Sequence, residues 1–198
     1  ALYFGSTIVY IASRKSSFIL EVMQEEKIRG VVTAPILLKL LKDKIERQAR
    51  EKGKENILKG MQKIAKPFSL SGRRLLLKPI LNKFGRLDLF ISGGAALEED
   101  VEKFWNSLGV EVLQGYSLTE TSPAISCNTF TQKRKGSVGK IIQGVEIRIR
   151  DGEIFVKSPG VFPGYYQNPK ATKESFQDGW LKTGDLGEIK DNFLYIKG

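Results

Sequence analysis

The 198-residue sequence contains no histidine, and it contains a single cysteine, Cys127. Without histidine, this chain cannot form Ser/His/Asp or Cys/His nucleophilic systems, and it lacks the usual zinc ligands. A lone cysteine cannot form an internal disulfide, and we expect Cys127 to be a small buried residue. Any chemistry here therefore depends on carboxylates, hydroxyls, lysines and the backbone, which suffice for phosphoryl or adenylyl transfer.

The sequence also lacks a long apolar run. Its longest uncharged stretch covers residues 1–13, which is shorter than the roughly 20 residues that a membrane-spanning helix needs. No basic region precedes this stretch, as a signal peptide would require. With 41% hydrophobic and 27% charged residues, the composition is typical of a soluble globular protein, and we expect a cytoplasmic location.

Acidic residues are scarce in one segment. Residues 39–86 contain 15 basic and 4 acidic residues, in a chain whose net charge is +10. This segment can be a basic amphipathic surface that contacts an anionic membrane peripherally, or a solvated face over ordinary helices. We expect no nucleic-acid partner, because only Phe68 and Phe84 interleave with the basic residues and no recognition motif is present.

In the first two thirds of the chain, short apolar runs alternate with helical patterns. This rhythm is typical of βαβ units, and it predicts a mainly parallel sheet with flanking helices. The predicted strands cover residues 7–11, 30–33, 87–91 and 110–113, and the predicted helices cover 17–27, 35–52 and 97–108, the last ending at Gly109.

From residue 129 the pattern changes to short alternating stretches between turn residues. Residues 145–150 and 153–157 alternate in polarity, and Asp151 and Gly152 between them predict a tight hairpin. The fold class is therefore predicted to be α/β, with a mainly parallel sheet followed by an antiparallel, barrel-like β subdomain. We expect an α/β subdomain at residues 1–128 and a β-rich one at 129–198.

The most informative segment is residues 113–122, LQGYSLTETS, which follows a predicted strand. Open α/β sheets bind ligands at the carboxyl ends of their strands. Tyr116 can cover a purine face, Thr119 can donate to a phosphate oxygen, and Glu120 can bind Mg²⁺. The alternatives are that Tyr116 is a core residue and that Thr119 and Glu120 cap a short helical turn.

Two further places can contact a nucleoside. Gly93 and Gly94 follow a predicted strand, and their lack of side chains lets a ligand approach the backbone, although a tight turn would also explain them. The acidic residues 98–100 begin the next helix and disfavour an anion there, so a purine or ribose fits better than phosphate. Asp185 can accept from both ribose hydroxyls, or it can simply form a turn.

Residues 113–122 resemble the signature of the adenylate-forming (AMP-binding) superfamily, which includes acyl-CoA synthetases, luciferases and nonribosomal adenylation domains. Ser117 stands where that family usually has glycine. Three other segments follow the family's order, at residues 91–97, 136–139 and 152–187. The leucine-rich helix after Pro35 and the basic helical insertion that follows are most similar to the long-chain fatty acid CoA ligase branch.

The resemblance implies a role for each site residue. It implies catalytic roles for Thr119 and Glu120, with Thr119 on phosphate and Glu120 on the metal, and it implies that Asp185 binds the ribose. The remaining adenosine contacts that it implies are Gly93, Gly94, Ala95, Gln114, Gly115 and Tyr116.

The activity that the resemblance implies is that of an ATP-dependent acid–thiol ligase. A fatty acid and ATP, with Mg²⁺, would form an acyl-adenylate, and CoA as co-substrate would then displace AMP. The alternatives are an acyl carrier protein ligase or another adenylating enzyme, and a non-catalytic module that binds a membrane or an acidic partner. The family's Gly/Ser/Thr-rich phosphate loop and catalytic lysine domain are not found in these residues, so we expect a central fragment that is inactive alone.

Overall fold

The computed structural model of the chain describes residues 5–13, 15–122 and 124–198, which form two compact units. The first unit is the described part of Ala1–Phe90 together with Glu98–Val112, and the second is Ile91–Leu97 together with Leu113–Gly198. Residues 1–4 lie outside the described residues. The uncharged stretch 1–13 and the proposed subdomain 1–128 both begin with these four residues. The boundary at residues 128 and 129 stays a proposal.

The first unit contains six α-helices, counted over its described residues, together with the strand at Gly30–Thr33 and the first two residues of each of the strands Leu89–Ser92 and Glu111–Tyr116, whose remaining residues belong to the second unit. The strands β1, β2 and β3 are neighbours in that order, with helices in both crossovers, as parallel strands require. This arrangement confirms the predicted α/β class. The elements are α1 Ser16–Glu25, β1 Gly30–Thr33, α2 Pro35–Glu51, α3 Glu55–Ala65, α4 Leu70–Leu76, α5 Lys78–Leu81, β2 Leu89–Ser92, α6 Glu99–Ser107 and β3 Glu111–Tyr116.

Trp105 of α6 is at the centre of the core of the first unit. It is fully buried, and its indole N–H donates to the carbonyl of Leu38 in α2 over 3.1 Å. Its ring meets Phe84, Phe90 and Phe104 edge to face, with centroid distances of 5.6, 4.8 and 5.5 Å. The buried indole is therefore hydrogen-bonded as well as packed, and it ties α2 to α6.

The basic segment at residues 39–86 forms most of α2 and all of α3, α4 and α5. Part of its charge is paired with the start of α6, through Lys39 to Glu98 at 2.6 Å and Lys42 to Asp100 at 3.0 Å. Among the residues that the structure describes, no helix has the length and apolar character needed to cross a membrane.

The second unit is mainly antiparallel. From the carboxyl end of β3 the strand order is β4, β5, β10, β9, β7 and β6, with β8 paired to β9, and each of these pairs is antiparallel. This confirms the predicted change from α/β to antiparallel structure. The elements are β4 Ser126–Cys127, β5 Gly139–Ile141, β6 Glu146–Arg150, β7 Glu153–Lys157, α7 Pro169–Ser175, β8 Phe176–Gln177, β9 Trp180–Lys190 and β10 Phe193–Ile196.

The predicted hairpin between β6 and β7 is confirmed. Arg150 pairs with Glu153, and the two residues between them, Asp151 and Gly152, both have positive φ angles of 51° and 86°. Positive φ at both central positions is the property of a type I′ turn, whose twist matches that of the flanking strands.

The predicted strand at residues 7–11 is wrong. These residues adopt no regular secondary structure, and the side chain of Tyr10 is 88% exposed. In the described part of the chain no other strand pairs with this stretch. An apolar run without a partner strand gains no interstrand hydrogen bonds, so its composition alone does not make it a strand.

Candidate functional site

The carboxyl end of β3 carries three of the predicted site residues. Gln114, Gly115 and Tyr116 are the last residues of the strand, which was predicted to end at Leu113. The strand is longer because β4 pairs with this end, with Gly115 opposite Cys127. The three residues therefore sit on a hydrogen-bonded strand rather than on the loop after it.

The glycine loop after β2 lies beside this strand end. A Cβ atom on Gly93 would be 3.4 Å from the carbonyl oxygen of Gly115. Gly94 has a φ of +80°, and no atom lies within 4 Å of where its Cβ would be. Gly94 and Ala95 are both exposed. The structure thus brings the two predicted adenosine-contacting segments together and leaves open space over the backbone at Gly94.

Gly115 has a packing reason to lack a side chain. Its Cβ would be 3.2 Å from the carbonyl oxygen of Ser126 in β4, a tighter contact than a side chain normally makes. Glycine is therefore needed at position 115 because the backbone of the neighbouring strand β4 lies close to it.

Tyr116 and Asp185 contact each other across 69 residues of sequence. The Tyr116 hydroxyl donates to Oδ2 of Asp185 over 2.5 Å, and the tyrosine is only 8% exposed and packs in the core of the second unit, against Ile125 and Ile154 among others. Burial raises the pKa of the Tyr116 phenol well above its usual value, and the hydrogen bond to Asp185 raises this pKa further. Tyr116 is therefore a core residue whose polar end holds Asp185.

Asp185 lies within strand β9, at an irregularity in its pairing with β7. The alternative that Asp185 simply forms a turn is wrong, because the structure places this residue in the strand. The hydroxyl of Thr183 donates to the carbonyl of Ile154 over 2.8 Å and accepts from the backbone N–H of Asp185 over 3.1 Å. The N–H of Gly184 donates to Oε1 of Glu153 over 3.0 Å. Bulged strands redirect side chains, and this one directs Asp185 to Tyr116.

Thr119 and Glu120 lie in a short 3-10 turn that follows β3. Oε1 of Glu120 accepts from the hydroxyl of Tyr165 over 2.9 Å, and its carbonyl accepts from the N–H of Phe162 over 2.8 Å. The turn is capped by Thr121, whose hydroxyl accepts from the N–H of Leu118 over 3.1 Å. Capping is thus done by another residue, and Thr119 remains exposed at the surface.

Three residues beside the site were missed by sequence reasoning. Tyr165 gave no local signal in the sequence, since it lies 45 residues from its partner Glu120. The hydrogen bond to Glu120 raises the pKa of the Tyr165 phenol. Thr183 did give a signal, because a threonine two residues before an aspartate commonly bonds to the backbone in this way. The Oγ of Ser92, next to Gly93, is buried without a hydrogen-bond partner among the described residues.

Comparison with known proteins gives consistent matches. The profile of the AMP-binding enzyme family matches residues 1–166. The long-chain-fatty-acid–CoA ligase FadD15 of Mycobacterium bovis is 44% identical over 110 residues, which cover 54% of this chain and 18% of that protein. The chloroplastic long-chain-fatty-acid–[acyl-carrier-protein] ligase AEE15 of Arabidopsis thaliana is 37% identical over 136 residues, which cover 62% of this chain and 19% of that protein.

A solved structure shows the same similarity in three dimensions. Unliganded O-succinylbenzoate coenzyme A synthetase (MenE) of Bacillus subtilis matches with a TM-score of 0.66 and 25% identity, covering 98% of this chain and 38% of that protein. The chain therefore spans less than a fifth of each of these two curated relatives and less than half of this solved chain.

Proposed function

Because the chain belongs to the AMP-binding enzyme family, we propose that it supplies the adenosine and magnesium contacts of a long-chain fatty acid CoA ligase. In this reaction a fatty acid carboxylate attacks ATP, giving an acyl-adenylate and pyrophosphate. The thiol of CoA then attacks the acyl carbon, forming the thioester and releasing AMP. The two relatives are both named as long-chain fatty acid ligases, which supports this substrate class.

The observation that carries the proposal is the placement of Asp185 beside the β3 end by its hydrogen bond to Tyr116. A carboxylate accepts several hydrogen bonds, so the ribose hydroxyls can bind Asp185 together with Tyr116. The amide of Gln114 can bind the adenine edge. The base can approach the backbone of Gly94, where the structure has open space, and that of Ala95, which is exposed.

Glu120 fits the requirements of a magnesium ligand. Among the residues that the structure describes, no three Asp, Glu or Cys side chains are grouped to hold a metal ion by themselves. Mg²⁺ in nucleotide sites is commonly held by one or two carboxylates, with phosphate oxygens and water completing the shell. Glu120 can supply that carboxylate, oriented by Tyr165, and the bound ion would neutralise charge on the phosphates. The exposed hydroxyl of Thr119 can donate to a phosphate oxygen.

The test uses the complete gene product and measures acyl-CoA formation from a long-chain fatty acid, ATP and CoA. We expect Asp185→Ala to raise the KM for ATP by about tenfold or more, since a charged hydrogen bond contributes about 1.5–3 kcal/mol. The matched control is Asp178→Ala, because Asp178 is exposed and pairs only with Arg150 in the described contacts; its KM should stay unchanged. Equal effects of the two substitutions would contradict the assignment of Asp185.

The thiol acceptor of the second step distinguishes two candidate functions, because one relative is named as an acyl carrier protein ligase. An acyl carrier protein ligase would share every residue proposed for adenosine and Mg²⁺, and would differ in the step that releases AMP. Parallel assays with CoA and with phosphopantetheine-loaded carrier protein separate the two functions. Faster thioester formation on CoA supports the first proposal, and faster formation on the carrier protein supports the alternative.

A further inference from the structure

An open cavity of about 500 Å³ lies in the first unit, between the helices α4 and α5 and the chain that leads into β2. None of its lining residues is among those proposed for adenosine, phosphate or Mg²⁺. Four cationic side chains and one carboxylate contribute to the lining, so the cavity has an excess of three positive charges. The cations are Arg29, Arg74, Lys78 and Arg86, and the carboxylate is Asp88.

The single carboxylate holds two of the arginines in place. Asp88 accepts from Nε of Arg29 over 2.7 Å and forms a second ion pair with Arg74. The backbone N–H of Asp88 donates to the carbonyl of Arg29 over 2.8 Å, and Nε of Arg74 donates to the carbonyl of Gly109 over 3.2 Å. A guanidinium has five N–H donors, more than these acceptors use, so both arginines are fixed and still able to bind an anion.

Lys78 and Arg86 supply positive charge that no carboxylate neutralises. Both are exposed, and in the described part of the chain neither forms an ion pair. Arg86 follows Gly85, which has a φ of +70° and whose Cβ would be 2.2 Å from the carbonyl oxygen of Met23. The chain therefore turns tightly against the end of α1, where only glycine fits, and this fixes the backbone that carries Arg86.

The helical wall of the cavity adds neutral donors to the charged ones. Ser71, Arg74 and Lys78 follow one another at spacings of three and four residues, which place side chains on one side of a helix. The exposed side chains of Ser71 and Asn82 also line the cavity. A hydroxyl and an amide can each donate to an oxyanion beside the guanidiniums.

Fixed guanidiniums with neighbouring hydroxyl and amide donors suit phosphate, which arginine binds through two parallel hydrogen bonds. A phosphate monoester carries about −1.5 to −2 charges at pH 7, so two phosphate groups balance the positive excess of the cavity. We propose that this cavity binds a small soluble ligand that carries two phosphate groups. The site is additional to the proposed ligase reaction and does not depend on it.

The test titrates the chain with inorganic pyrophosphate by isothermal titration calorimetry, in buffer without Mg²⁺ and at constant ionic strength. We expect saturable binding that is about tenfold or more tighter than that of inorganic phosphate, because the second phosphate group reaches further cations. Amide NMR shifts on titration should include residues 71–88 and should not be confined to the proposed adenosine site.

Arg86→Gln and Lys78→Gln should each weaken pyrophosphate binding by about fivefold or more, since each removes one charged hydrogen bond. The matched controls are Arg50→Gln and Lys63→Gln, because both residues are exposed, belong to the first unit and lie outside the cavity. Their effects should stay below about twofold. Circular dichroism checks that each variant is folded, and if Arg86→Gln does not fold, Lys78→Gln with its own control decides the test.

Several results would overturn the proposal. One is the absence of saturable binding, and another is equal weakening by Arg86→Gln and Arg50→Gln, which would indicate attraction to overall charge. Equal affinity for phosphate and pyrophosphate would remove the role of the second phosphate group. Shifts confined to residues 93–95, 114–120 and 185 would place pyrophosphate in the other unit. Binding to anionic phospholipid vesicles without binding to pyrophosphate would indicate a membrane surface instead of a site for a soluble ligand.

Discussion

The hydroxyl of Tyr116 and the carboxylate of Asp185 form the single contact on which the candidate site depends most. Tyr116 lies at the end of β3 and Asp185 lies in a bulge of β9, so the hydrogen bond between them fixes one side of the site. Tyr116 is almost fully buried, whereas Asp185 is half-buried. The tyrosine is thus rigidly packed, and the carboxylate that it holds stays accessible to a ligand.

Tyr116→Phe keeps the ring and removes only this hydrogen bond. We expect the free energy of unfolding at pH 7 to fall by about 1 kcal/mol, since water can partly replace the lost donor at Asp185. Urea unfolding of the two proteins measures this difference. An unchanged midpoint would mean that the hydrogen bond contributes nothing to stability.

The same pair makes stability depend on pH in the alkaline range. The pKa of Tyr116 is raised in the folded state, so above about pH 10 the unfolded chain loses the phenolic proton while the folded chain keeps it. The free energy of unfolding should therefore fall as the pH rises above 10, by at most about 1.4 kcal/mol per pH unit from this group. Tyr116→Phe should show a shallower fall, and parallel profiles of the two proteins would contradict this account.

Tyr165 is expected to orient the proposed magnesium ligand. Tyr165→Phe removes the hydrogen bond to Glu120, and we expect the complete gene product to need about threefold more Mg²⁺ for half-maximal activity, a small effect because the contact is exposed. The KM for the fatty acid should not change. Tyr166→Phe is the control, because Tyr166 is 90% exposed. Equal Mg²⁺ dependence of the two variants would show that Tyr165 does not position Glu120.

At the scale of elements, the sequence predicted correctly those helices and turns whose ends are determined by residues close together in the chain. The helix α2 that begins at Pro35, the helix α6 that Gly109 follows, and the hairpin at Asp151 and Gly152 each carry their own start, stop or turn residues. The strand predicted at residues 7–11 fails, and β3 extends beyond Leu113, because a strand depends on partners that are distant in sequence.

In the candidate site too, contacts between residues that are distant in sequence could not be predicted. The types of its residues could be predicted, but the Tyr116–Asp185 and Glu120–Tyr165 contacts, separated by 69 and 45 residues, could not.

The approach of β5 to β4 depends on a glycine without room for a side chain. Gly139 has a φ of +102°, and a Cβ there would be 1.8 Å from the backbone carbon of Cys127. We expect Gly139→Ala to lower the free energy of unfolding by more than about 3 kcal/mol or to prevent folding, because a backbone clash adds to the unfavourable φ. Chemical unfolding followed by circular dichroism measures this change.

Gly136 is the control for this substitution. Its φ is also positive, at +73°, but no atom lies within 4 Å of the position of its Cβ. Gly136→Ala should therefore lower the free energy of unfolding by only about 1 kcal/mol, the contribution of the φ angle alone. Equal losses for the two variants would show that the close contact with β4 has no energetic consequence.

At the scale of the whole molecule, the excess positive charge and the residues proposed to contact the nucleotide belong to different units. The basic segment at residues 39–86, which holds the excess positive charge, belongs to the first unit. All nine residues proposed to contact adenosine, phosphate or Mg²⁺ belong to the second. Nucleotide recognition is therefore expected to depend on specific contacts in the second unit rather than on the net charge of +10.

The most direct test of this central claim is an NMR titration of the chain with a non-hydrolysable acyl-adenylate analogue. We expect amide shifts at residues 93–95, 114–120 and 185, which are lost in Asp185→Ala and retained in Asp178→Ala. Shifts that are absent in a folded sample, or that persist unchanged in Asp185→Ala, would contradict the claim that these residues form the adenosine site.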